Sequence, residues 1–384
     1  MKRIVICPDS FKGSLSASTA AHIIASTLQE LHPTAELIEM PLADGGEGTL
    51  EIVSKKYPRK IDIETVDAIG KGLSTHYLAD ESEGQAFIES ASSIGLPLIS
   101  PEDRNVIKAS SYGLGQTILS AIRAGSREII VSLGGSATCD GGMGMMDALG
   151  FRFYDNSGRE LSGSGENLQK VEKIDSTHVE SFLKGVEFIF IHDVDNRLLG
   201  KEGAAEVFSP QKGATKEEVA LLEAGLENLV EVAERSGFDG YKSADSIGTG
   251  AAGGLGFAFY CFLGGESKRG IDFILDTIEF DEKIKNADLI ITGEGKLDCQ
   301  SLMGKVVSGV LERAQKYEIP VVAVGGKVED KEKLIASGLW KVYDIADKSL
   351  TIEANMEKET AERNLRNKIR NIFPDLQSCL RHSK

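Results

Sequence analysis

The sequence predicts an α/β protein with two domains, and three observations carry this prediction. Its 384 residues exceed the size at which one hydrophobic core usually stops growing, about 250 to 300 residues. At both ends of the chain, short apolar runs alternate with amphipathic helical segments, as in a doubly wound sheet of parallel strands. Between the ends, three strand-like runs follow one another across short polar turns, which favours antiparallel pairing.

The N-terminal segment begins the doubly wound sheet. Residues 3–7 (RIVIC) form a β-branched run that predicts a strand, and 16-SASTAAHIIASTLQEL-31 has apolar residues at helical spacing. Ser16 or Ser14 is suited to cap that helix, because a hydroxyl oxygen can accept from the backbone amides of the first turn. The alternating run 36-ELIEMPL-42 predicts the second strand of the sheet.

The middle of the chain predicts an inserted mixed α/β domain. Its strand-like runs are short and bounded by polar turns, whereas its helical segments are longer and amphipathic or apolar. After a helix at about 50–56, strands are expected at 61–70, 73–80, 84–91, 128–133 and 186–195, and helices at 112–124, 215–235 and 255–263.

The alternation of strands and helices returns near the C-terminus. Strands are expected at 288–295, 320–326 and 341–345, and helices at about 301–316, 329–338 and 355–372. With the two N-terminal strands these make five, the count of a flavodoxin-like sheet. We therefore expect a discontinuous flavodoxin-like domain of residues 1–60 and 271–384, an inserted domain of residues 61–270, and an active site in the cleft between them.

Composition excludes several classes of partner. The chain has 43 basic and 59 acidic residues and a net charge of −16, with no basic stripe, so we expect no nucleic-acid binding. Its longest apolar stretch, 255-LGFAFYCFL-263, is too short for a bilayer that needs about 20 residues. The N-terminal apolar run ends at Pro8 and does not resemble a signal peptide. We expect a cytoplasmic protein without a membrane partner.

The cysteines do not predict a metal site or a disulfide framework. They are odd in number and scattered along the chain, so they are expected to be reduced thiols without a catalytic role. They are Cys7, Cys139, Cys261, Cys299 and Cys379.

Polar loops follow five of the expected strands. All five contain Asp, four contain Gly, and three add Ser or Lys, residues that also make ordinary turns and helix caps. The loops are 8-PDSFKGS-14, 43-ADGGEG-48, 134-GGSATCDGG-142, 193-DVDN-196 and 293-GEGKLDCQ-300. Ligands of open α/β sheets bind at the carboxyl ends of the strands, so five such loops together indicate a binding site.

The contents of these loops are the groups that phosphoryl transfer requires. Lysines recur on tight glycine turns, as in 211-QKGA-214 and 293-GEGK-296, and resemble anion clamps more than a solvated face. Carboxylates can hold Mg²⁺ at the phosphates, lysines and backbone amides can neutralise the developing charge, and one Asp can accept the hydroxyl proton.

Better-known catalytic motifs are absent from the sequence. It has no G-x-x-x-x-G-K-[ST] phosphate loop, no protein-kinase motif set and no G-x-S-x-G elbow. Of the histidines, His192 alone adjoins a candidate loop, where a structural role is the more common one. One dinucleotide-like G-x-G-x-x-G occurs at 248-GTGAAG-253, but 241-YKSADSI-247 before it is a poor strand.

The motifs together resemble the bacterial glycerate kinase family that is unrelated to P-loop kinases, and the likeness runs from end to end. The stretches that carry it are 8-PDSFKGSLSA-17, 42-LADGGEGT-49, 134-GGSATCDGGMG-144, 193-DVDNRLLG-200, 208-FSPQKGA-214, 248-GTGAAGGLG-256 and 292-TGEGKLDCQSLMGK-305. The resemblance implies ATP- and Mg²⁺-dependent phosphorylation of D-glycerate, mostly to 2-phosphoglycerate, in glycerate and glyoxylate utilisation. Cys139 stands where the family pattern suggests Asn, and Arg197 where it suggests Pro.

Within this reading the candidate residues divide by role. Asp193 is expected as the general base or as a metal-organising carboxylate, Asp298 as the rival base, and Lys12 as a further catalytic group. The other candidates are Gly134, Gly135, Ser136, Lys212, Gly213 and Lys296 for phosphate or nucleotide; Ser14, Asp44, Gly45, Gly46, Asn196 and Gln300 for substrate; and Asp195 and Asp140 for the metal, with Asp44 a further possible metal ligand.

Alternatives remain open at this stage. The product is 2-phosphoglycerate or 3-phosphoglycerate, and the sequence does not say which. A non-catalytic protein that binds a small carboxylate or a nucleotide would use the same loops without turnover. An NAD(P)-dependent hydroxy-acid oxidoreductase would need a strand directly before Gly248. The oligomeric state cannot be read from the sequence.

Overall fold

The computed structural model describes residues 2–11, 13–43, 49–177, 179 and 181–382. Across these ranges, no helix combines the length and the apolar character that crossing a bilayer requires. The described chain is a mixed α/β protein of two compact units. We call Met1–Val53 with Gly270–Lys384 the discontinuous unit and Ser54–Arg269 the inserted unit.

The strands of the described chain are β1 (Arg3–Ile6), β2 (Glu36–Glu39), β3 (Arg59–Val66), β4 (Gly72–Asp80), β5 (Gln85–Glu89), β6 (Glu128–Ser132), β7 (Arg152–Tyr154), β8 (Glu160–Leu161), β9 (Lys173–Asp175), β10 (Glu187–His192), β11 (Glu266–Arg269), β12 (Leu289–Leu297), β13 (Val321–Val328) and β14 (Lys341–Asp344).

Its α-helices are α1 (Ala17–Leu31), α2 (Thr49–Val53), α3 (Ala91–Ile94), α4 (Tyr112–Arg123), α5 (Met143–Ala148), α6 (Ala204–Phe208), α7 (Lys216–Arg235), α8 (Gly240–Ala244), α9 (Ala251–Leu263), α10 (Gly270–Thr277), α11 (Phe280–Ile284), α12 (Val306–Gln315), α13 (Lys331–Ala336), α14 (Ile352–Met356) and α15 (Lys358–His382). Short 3₁₀-helices include Pro210–Lys212 and Cys299–Leu302.

The discontinuous unit is built on a five-stranded sheet in which every pairing is parallel. Its strand order is β14-β13-β12-β1-β2, so the carboxyl ends of all five strands lie at one edge. One apolar core is formed where β1, β12 and β13 meet α1 and α15. Strands buried in this way read as continuous apolar runs, which is why residues 3–7 and 288–295 were recognisable in the sequence.

Helix α1 begins where the sequence predicted. The Ser16 side chain accepts from the Thr19 amide, so Ser16 is the N-cap. The hydroxyl of Ser14 instead donates to the Phe11 carbonyl oxygen at 2.8 Å and closes a tight turn. Ser14 is therefore not the N-cap of α1.

The inserted unit contains a six-stranded mixed sheet and a small antiparallel sheet. The order of the larger sheet is β11-β10-β6-β5-β4-β3; β11, β10, β6 and β5 are parallel, whereas β5–β4 and β4–β3 are antiparallel. The antiparallel part confirms the prediction from residues 61–91. The small sheet, of order β8-β7-β9, was not predicted, because its strands have only two or three residues.

Two of the predicted C-terminal helices differ from their expected bounds. The helix expected over 301–316 begins only at Val306, because Asp298 caps a 3₁₀ turn and Gly304 then adopts a positive φ of 71°. The helix expected over 355–372 is instead α14 followed by the longer α15, which continues through Pro374. Element type was thus predicted more reliably than element length.

Candidate active site

The parallel strands of the inserted unit bring three polar segments to one edge. In the sheet register Glu89 at the end of β5 pairs with Ser132 at the end of β6, and Ser132 pairs with Ile191 near the end of β10. The chain therefore leaves the sheet at adjacent positions toward Ser90, Gly134 and Asp193. Convergence of two of these segments, 134–142 and 193–196, was expected from the sequence.

The loop after β6 is held in place by hydrogen bonds, and part of its backbone is exposed. Ser90 Oγ lies 3.4 Å from the Gly134 amide and 3.3 Å from its carbonyl oxygen. The Leu96 amide donates to the Gly135 carbonyl at 2.7 Å, and Gly135 itself is exposed. Ser136 is buried. Of the expected phosphate cradle 134–136, the two glycines are therefore accessible and the serine hydroxyl is not.

Lys212 lies beneath this loop. It ends the 3₁₀-helix Pro210–Lys212, is 4% exposed, and is followed by Gly213 at a φ of 99°. Its ammonium donates to the Thr138 carbonyl at 2.7 Å and to Ser136 Oγ at 3.2 Å. Burial lowers the pKa of Lys212 to about 8. Lys212 and Ser136, both expected at the phosphates, are hydrogen-bonded to each other, and the ammonium is buried under the loop rather than exposed to a ligand.

Asp140 requires a correction. Its carboxylate accepts from the Ser111 amide and hydroxyl, both at 2.8 Å, and from the Gly142 and Gly144 amides, both at 3.1 Å. The side chain is fully buried. Burial raises the pKa of Asp140, whereas these hydrogen bonds act to lower it. A carboxylate engaged by four donors holds the loop together, so the expected metal-ligand role does not fit this geometry.

His192 sets the start of the loop that follows β10. Its Nδ1 lies 2.8 Å from the Val194 carbonyl oxygen, which can only accept, so Nδ1 carries the proton. Nε2, 2.6 Å from Ser267 Oγ, then accepts from that hydroxyl. Burial lowers the pKa of His192, which favours the neutral ring. The structural role expected for His192 accounts for both nitrogens.

The acidic residues of the same loop are accessible. Asp193 and Asp195 are exposed, and Asn196 is half-buried with its amide donating to the Glu202 carbonyl at 2.7 Å. Arg197, which departs from the family pattern, pairs with Asp245 at 2.7 Å. The carboxylates of Asp193 and Asp195 thus lie at the surface, and the charge of Arg197 is partly offset by Asp245.

The 248-GTGAAG-253 stretch packs against the His192 loop. Gly248 has a φ of 80°, and a Cβ there would lie 2.4 Å from His192 Nε2. The residues before it form α8, with no strand over 240–247 of the described chain. Because a dinucleotide fingerprint needs that strand, the oxidoreductase alternative is wrong. Glycine is required here for close packing instead.

Glu89 is a candidate that sequence reasoning missed. It lies at the same edge, in register with Ser132, and burial raises its pKa to about 7. A carboxyl group with such a pKa can exchange protons near neutrality. The signal was available, because Glu89 directly follows the apolar core of the predicted strand 84–91.

The discontinuous unit has a cavity of about 560 Å³ at the carboxyl edge of its sheet. Four predicted residues line it: Ser14, Lys296, Asp298 and Gln300. Its lining residues lie at the ends of β1, β12, β13 and β14, so the cavity includes the position between β1 and β12 where the strand order reverses, a usual place for a ligand in such a sheet. Its volume falls within the range typical of small-molecule sites.

Ion pairs organise the polar side of this cavity. Lys296 Nζ lies 2.9 Å from Asp298 Oδ2 and 2.9 Å from Glu329 Oε2, and Lys327 Nζ lies 2.7 Å from Glu329 Oε1. Asp298 also accepts from the Gln300 amide at 2.8 Å. The hydrogen bond from Lys296 lowers the pKa of Asp298, and the two carboxylates raise the pKa of Lys296. Asp298 is therefore a weak proton acceptor in this arrangement.

Four predicted site residues, Lys12, Asp44, Gly45 and Gly46, lie outside the described residues. Within the described ranges, no group of three or more His, Cys, Asp and Glu side chains is arranged to hold a metal ion. Proteins usually hold nucleotide-bound Mg²⁺ with one or two carboxylates and the phosphates themselves. The exposed pair Asp193 and Asp195 fits that smaller requirement, and Asp140 does not.

Comparison with known proteins supplies the family. Residues 4–377 match the glycerate kinase family. A protein of Bacillus subtilis named glycerate kinase is 37% identical over 92% of this chain and 93% of its own length, and one of Escherichia coli named glycerate 2-kinase is 38% identical over 85% and 86%. A crystal structure described as glycerate kinase 2 of Salmonella typhimurium LT2 has 37% identity and a TM-score of 0.84, covering 98% of each chain.

Proposed function

The chain belongs to the glycerate kinase family, and from that premise we propose that it phosphorylates the 2-hydroxyl of D-glycerate. The family is one of phosphotransferases, and a glycerate kinase takes its phosphoryl group from ATP. The observation that supports the 2-position is the name of the Escherichia coli relative, glycerate 2-kinase. The products are then 2-phosphoglycerate and ADP, and 3-phosphoglycerate is the alternative.

The reaction needs a proton acceptor beside the attacking hydroxyl. The glycerate oxygen forms a bond to the γ-phosphorus, the bond from that phosphorus to the β,γ-bridging oxygen breaks, and ADP leaves with the electron pair. The hydroxyl proton passes to a carboxylate. Asp193 is our proposed acceptor, because it is exposed at the carboxyl end of β10, beside the accessible Gly134 and Gly135.

Asp193 is preferred to Asp298 as the proton acceptor for an electrostatic reason. Asp298 is paired with Lys296 and caps a 3₁₀-helix, so protonating it would break both interactions. Glu89 is the second candidate, because its raised pKa of about 7 suits proton exchange, although it is half-buried. Comparing the Asp193→Asn and Glu89→Gln variants separates these roles.

Mg²⁺ would be bound by Asp195 together with the ATP phosphates. When bound, the ion would neutralise charge that develops on the phosphoryl oxygens. Gly134 and Gly135 are proposed to direct backbone amides toward the transferred group, and Asn196 to contact the acid. Lys212 is proposed as a positioning residue that keeps Ser136 and Thr138 in place, rather than as a direct phosphate ligand.

The discontinuous unit is proposed to be flavodoxin-like. Numbered within that unit, its parallel strands follow the order 2-1-3-4-5, which is the flavodoxin order. The proposed domain boundaries are those of the two compact units, after Val53 and before Gly270, rather than residues 60 and 271 as the sequence alone suggested.

Turnover tests the proposed function. Purified protein is incubated with MgATP and D-glycerate, and ADP release is followed with a coupled assay. The expected result is ADP formation that depends on D-glycerate and stops when EDTA removes Mg²⁺. ADP release no greater than in a sample without D-glycerate would overturn the proposal. Tight binding of ATP or D-glycerate without turnover would support the non-catalytic alternative instead.

A further inference from the structure

We propose that the cavity of the discontinuous unit is the nucleotide site, with the base against an apolar rim and the phosphates at a pair of lysines. The rim is formed by Leu350, Ile352 and Met356, and the lysines are Lys296 and Lys327. This inference rests on the proposed function, because a kinase of this family needs a nucleotide site. It deepens that function by assigning the site to one set of side chains.

The apolar rim is the first observation. Leu350 is 38% exposed, Ile352 65% and Met356 43%, and all three line the cavity. Among the described residues of the discontinuous unit, only two other large hydrophobic side chains, Met303 and Ile335, are exposed. A cluster of exposed apolar side chains at a cavity mouth indicates a ligand with apolar faces. Glycerate has no such face, whereas a nucleobase has two.

The rim is held in place before any ligand binds. Asn355 Oδ1 accepts from the Asp347 amide at 2.8 Å, and Asn355 Nδ2 donates to the carbonyl oxygens of Asp347 and Thr351, both at 3.0 Å. Thr351 caps α14 by accepting from the Ala354 amide at 3.2 Å. Ordering a loop in advance lowers the entropic cost of binding.

Met356 of the rim lies close to Gly13 of the N-terminal loop. A Cβ on Gly13, whose φ is 80°, would lie 2.9 Å from Met356 Cε. Ser10 and Ser14 of the same loop line the cavity. The serine hydroxyls therefore lie in the same cavity as the rim and can serve phosphate or ribose oxygens.

The lysine pair is the second observation. Lys296 on β12 and Lys327 on β13 are register partners, and the carboxylate of Glu329 lies between them with one oxygen near each ammonium. Two ammonium groups that share one carboxylate can hold two oxygens of a phosphate in the same way. Both lysines are more than half exposed, so an incoming anion can replace Glu329.

Size also favours a nucleotide over the acid. A three-carbon acid would fill a small part of a cavity of about 560 Å³, whereas a nucleoside triphosphate is of comparable size. The lining has further groups of both charges, Lys305 and Lys348 on one side and the carboxylates of Glu294, Asp298, Asp344 and Asp347 on the other, so the anion-binding argument depends on the lysine pair. Ser14 and Gln300, which the sequence assigned to glycerate, are by this argument nucleotide contacts.

Binding measurements distinguish the contribution of the apolar rim from that of the lysine pair. Titration calorimetry measures the Kd of MgADP and of pyrophosphate for the full-length protein. Leu350→Ser combined with Ile352→Ser should raise the Kd of MgADP about tenfold and leave that of pyrophosphate within about twofold. Lys327→Gln should raise the Kd of both ligands about tenfold. Ile335→Ser and Lys316→Gln, exposed substitutions outside the cavity lining, are the matched controls and should change neither.

Two outcomes would overturn the inference. One is unchanged MgADP binding in the rim variant; the other is a raised KM for D-glycerate with an unchanged KM for ATP in the same variant, which would assign the cavity to the acid. Failure of the proposed function looks different, because the wild-type protein would then bind MgADP with the expected variant pattern yet release no ADP with D-glycerate. The variants substitute exposed side chains, and an unchanged thermal midpoint verifies their folding.

Discussion

Lys212 provides a prediction that follows directly from its burial. Its ammonium is inside the protein with two hydrogen-bond acceptors, Ser136 and Thr138. Burial lowers its pKa from an ordinary 10.5 to about 8, which corresponds to about 3 kcal/mol of unfavourable free energy for the charged form. Substitution by methionine, Lys212→Met, removes the charge and keeps a similar length.

The sign of the pH dependence follows from which state binds the proton more tightly. Between about pH 8 and 10.5 the unfolded chain keeps the lysine proton and the folded protein releases it. The free energy of unfolding of the wild type should therefore rise with pH in this window, relative to a variant that has no amine. From pH 7 to pH 9 the expected gain is about 1.4 kcal/mol.

Urea unfolding monitored by circular dichroism measures this gain. The free energy of unfolding is measured at pH 7, 8 and 9 for the wild type, for Lys212→Met and for Lys316→Met, a control at an exposed site. If the protein unfolds in more than one step, the step whose midpoint changes in Lys212→Met is the one compared. The free energies of unfolding of the wild type and Lys316→Met should change with pH in the same way. The free energy of unfolding of the wild type, relative to that of Lys212→Met, should rise by about 1.4 kcal/mol from pH 7 to pH 9. A difference that stays constant with pH, together with a raised KM for ATP, would mean that Lys212 is accessible and binds phosphate.

Three further predictions concern the inserted unit. Asp193→Asn should lower kcat by several orders of magnitude without changing the thermal midpoint; activity within about tenfold of wild type would transfer the base role to Glu89. Asp140→Asn should lower the free energy of unfolding by about 2 to 4 kcal/mol, because the Asp140 carboxylate accepts from four donors. The activity of the folded variant should depend on Mg²⁺ concentration as that of the wild type does, and a shifted dependence would support a metal-ligand role for Asp140. Gly248→Ala should lower the free energy of unfolding by more than about 1 kcal/mol, because its Cβ would meet the His192 ring; a neutral effect, measured by urea unfolding, would contradict the packing described.

Much of the fold was predictable because its central strands are buried and helices such as α1 and α7 begin at side-chain caps. The predicted strands contain the continuous apolar runs 4–7, 129–131 and 289–291, and Thr215 with Glu218 forms a capping box at the start of α7. The small sheet β8-β7-β9 escaped prediction, because two or three residues show no periodicity. The break at Glu357 escaped as well, since both flanking segments read as one helical pattern.

The site was predictable as a set of loops but not residue by residue. Strand-end position identified 134–142 and 193–196 without any knowledge of side-chain direction. The same reasoning could not distinguish exposed Asp193 from buried Asp140, because both lie in loops that follow strands and they differ in what surrounds them. It also missed Glu89, whose raised pKa comes from burial by residues distant in the chain.

The position of the new phosphate ester tests the central claim most directly. The product formed from MgATP and D-glycerate is examined by proton-coupled ³¹P NMR, in which the phosphate signal is split by hydrogens on the carbon that bears it. Phosphorylation of the 2-hydroxyl predicts a doublet, because that carbon carries one hydrogen. A triplet, from the two hydrogens of the terminal carbon, would contradict the assignment and identify a glycerate kinase that forms 3-phosphoglycerate.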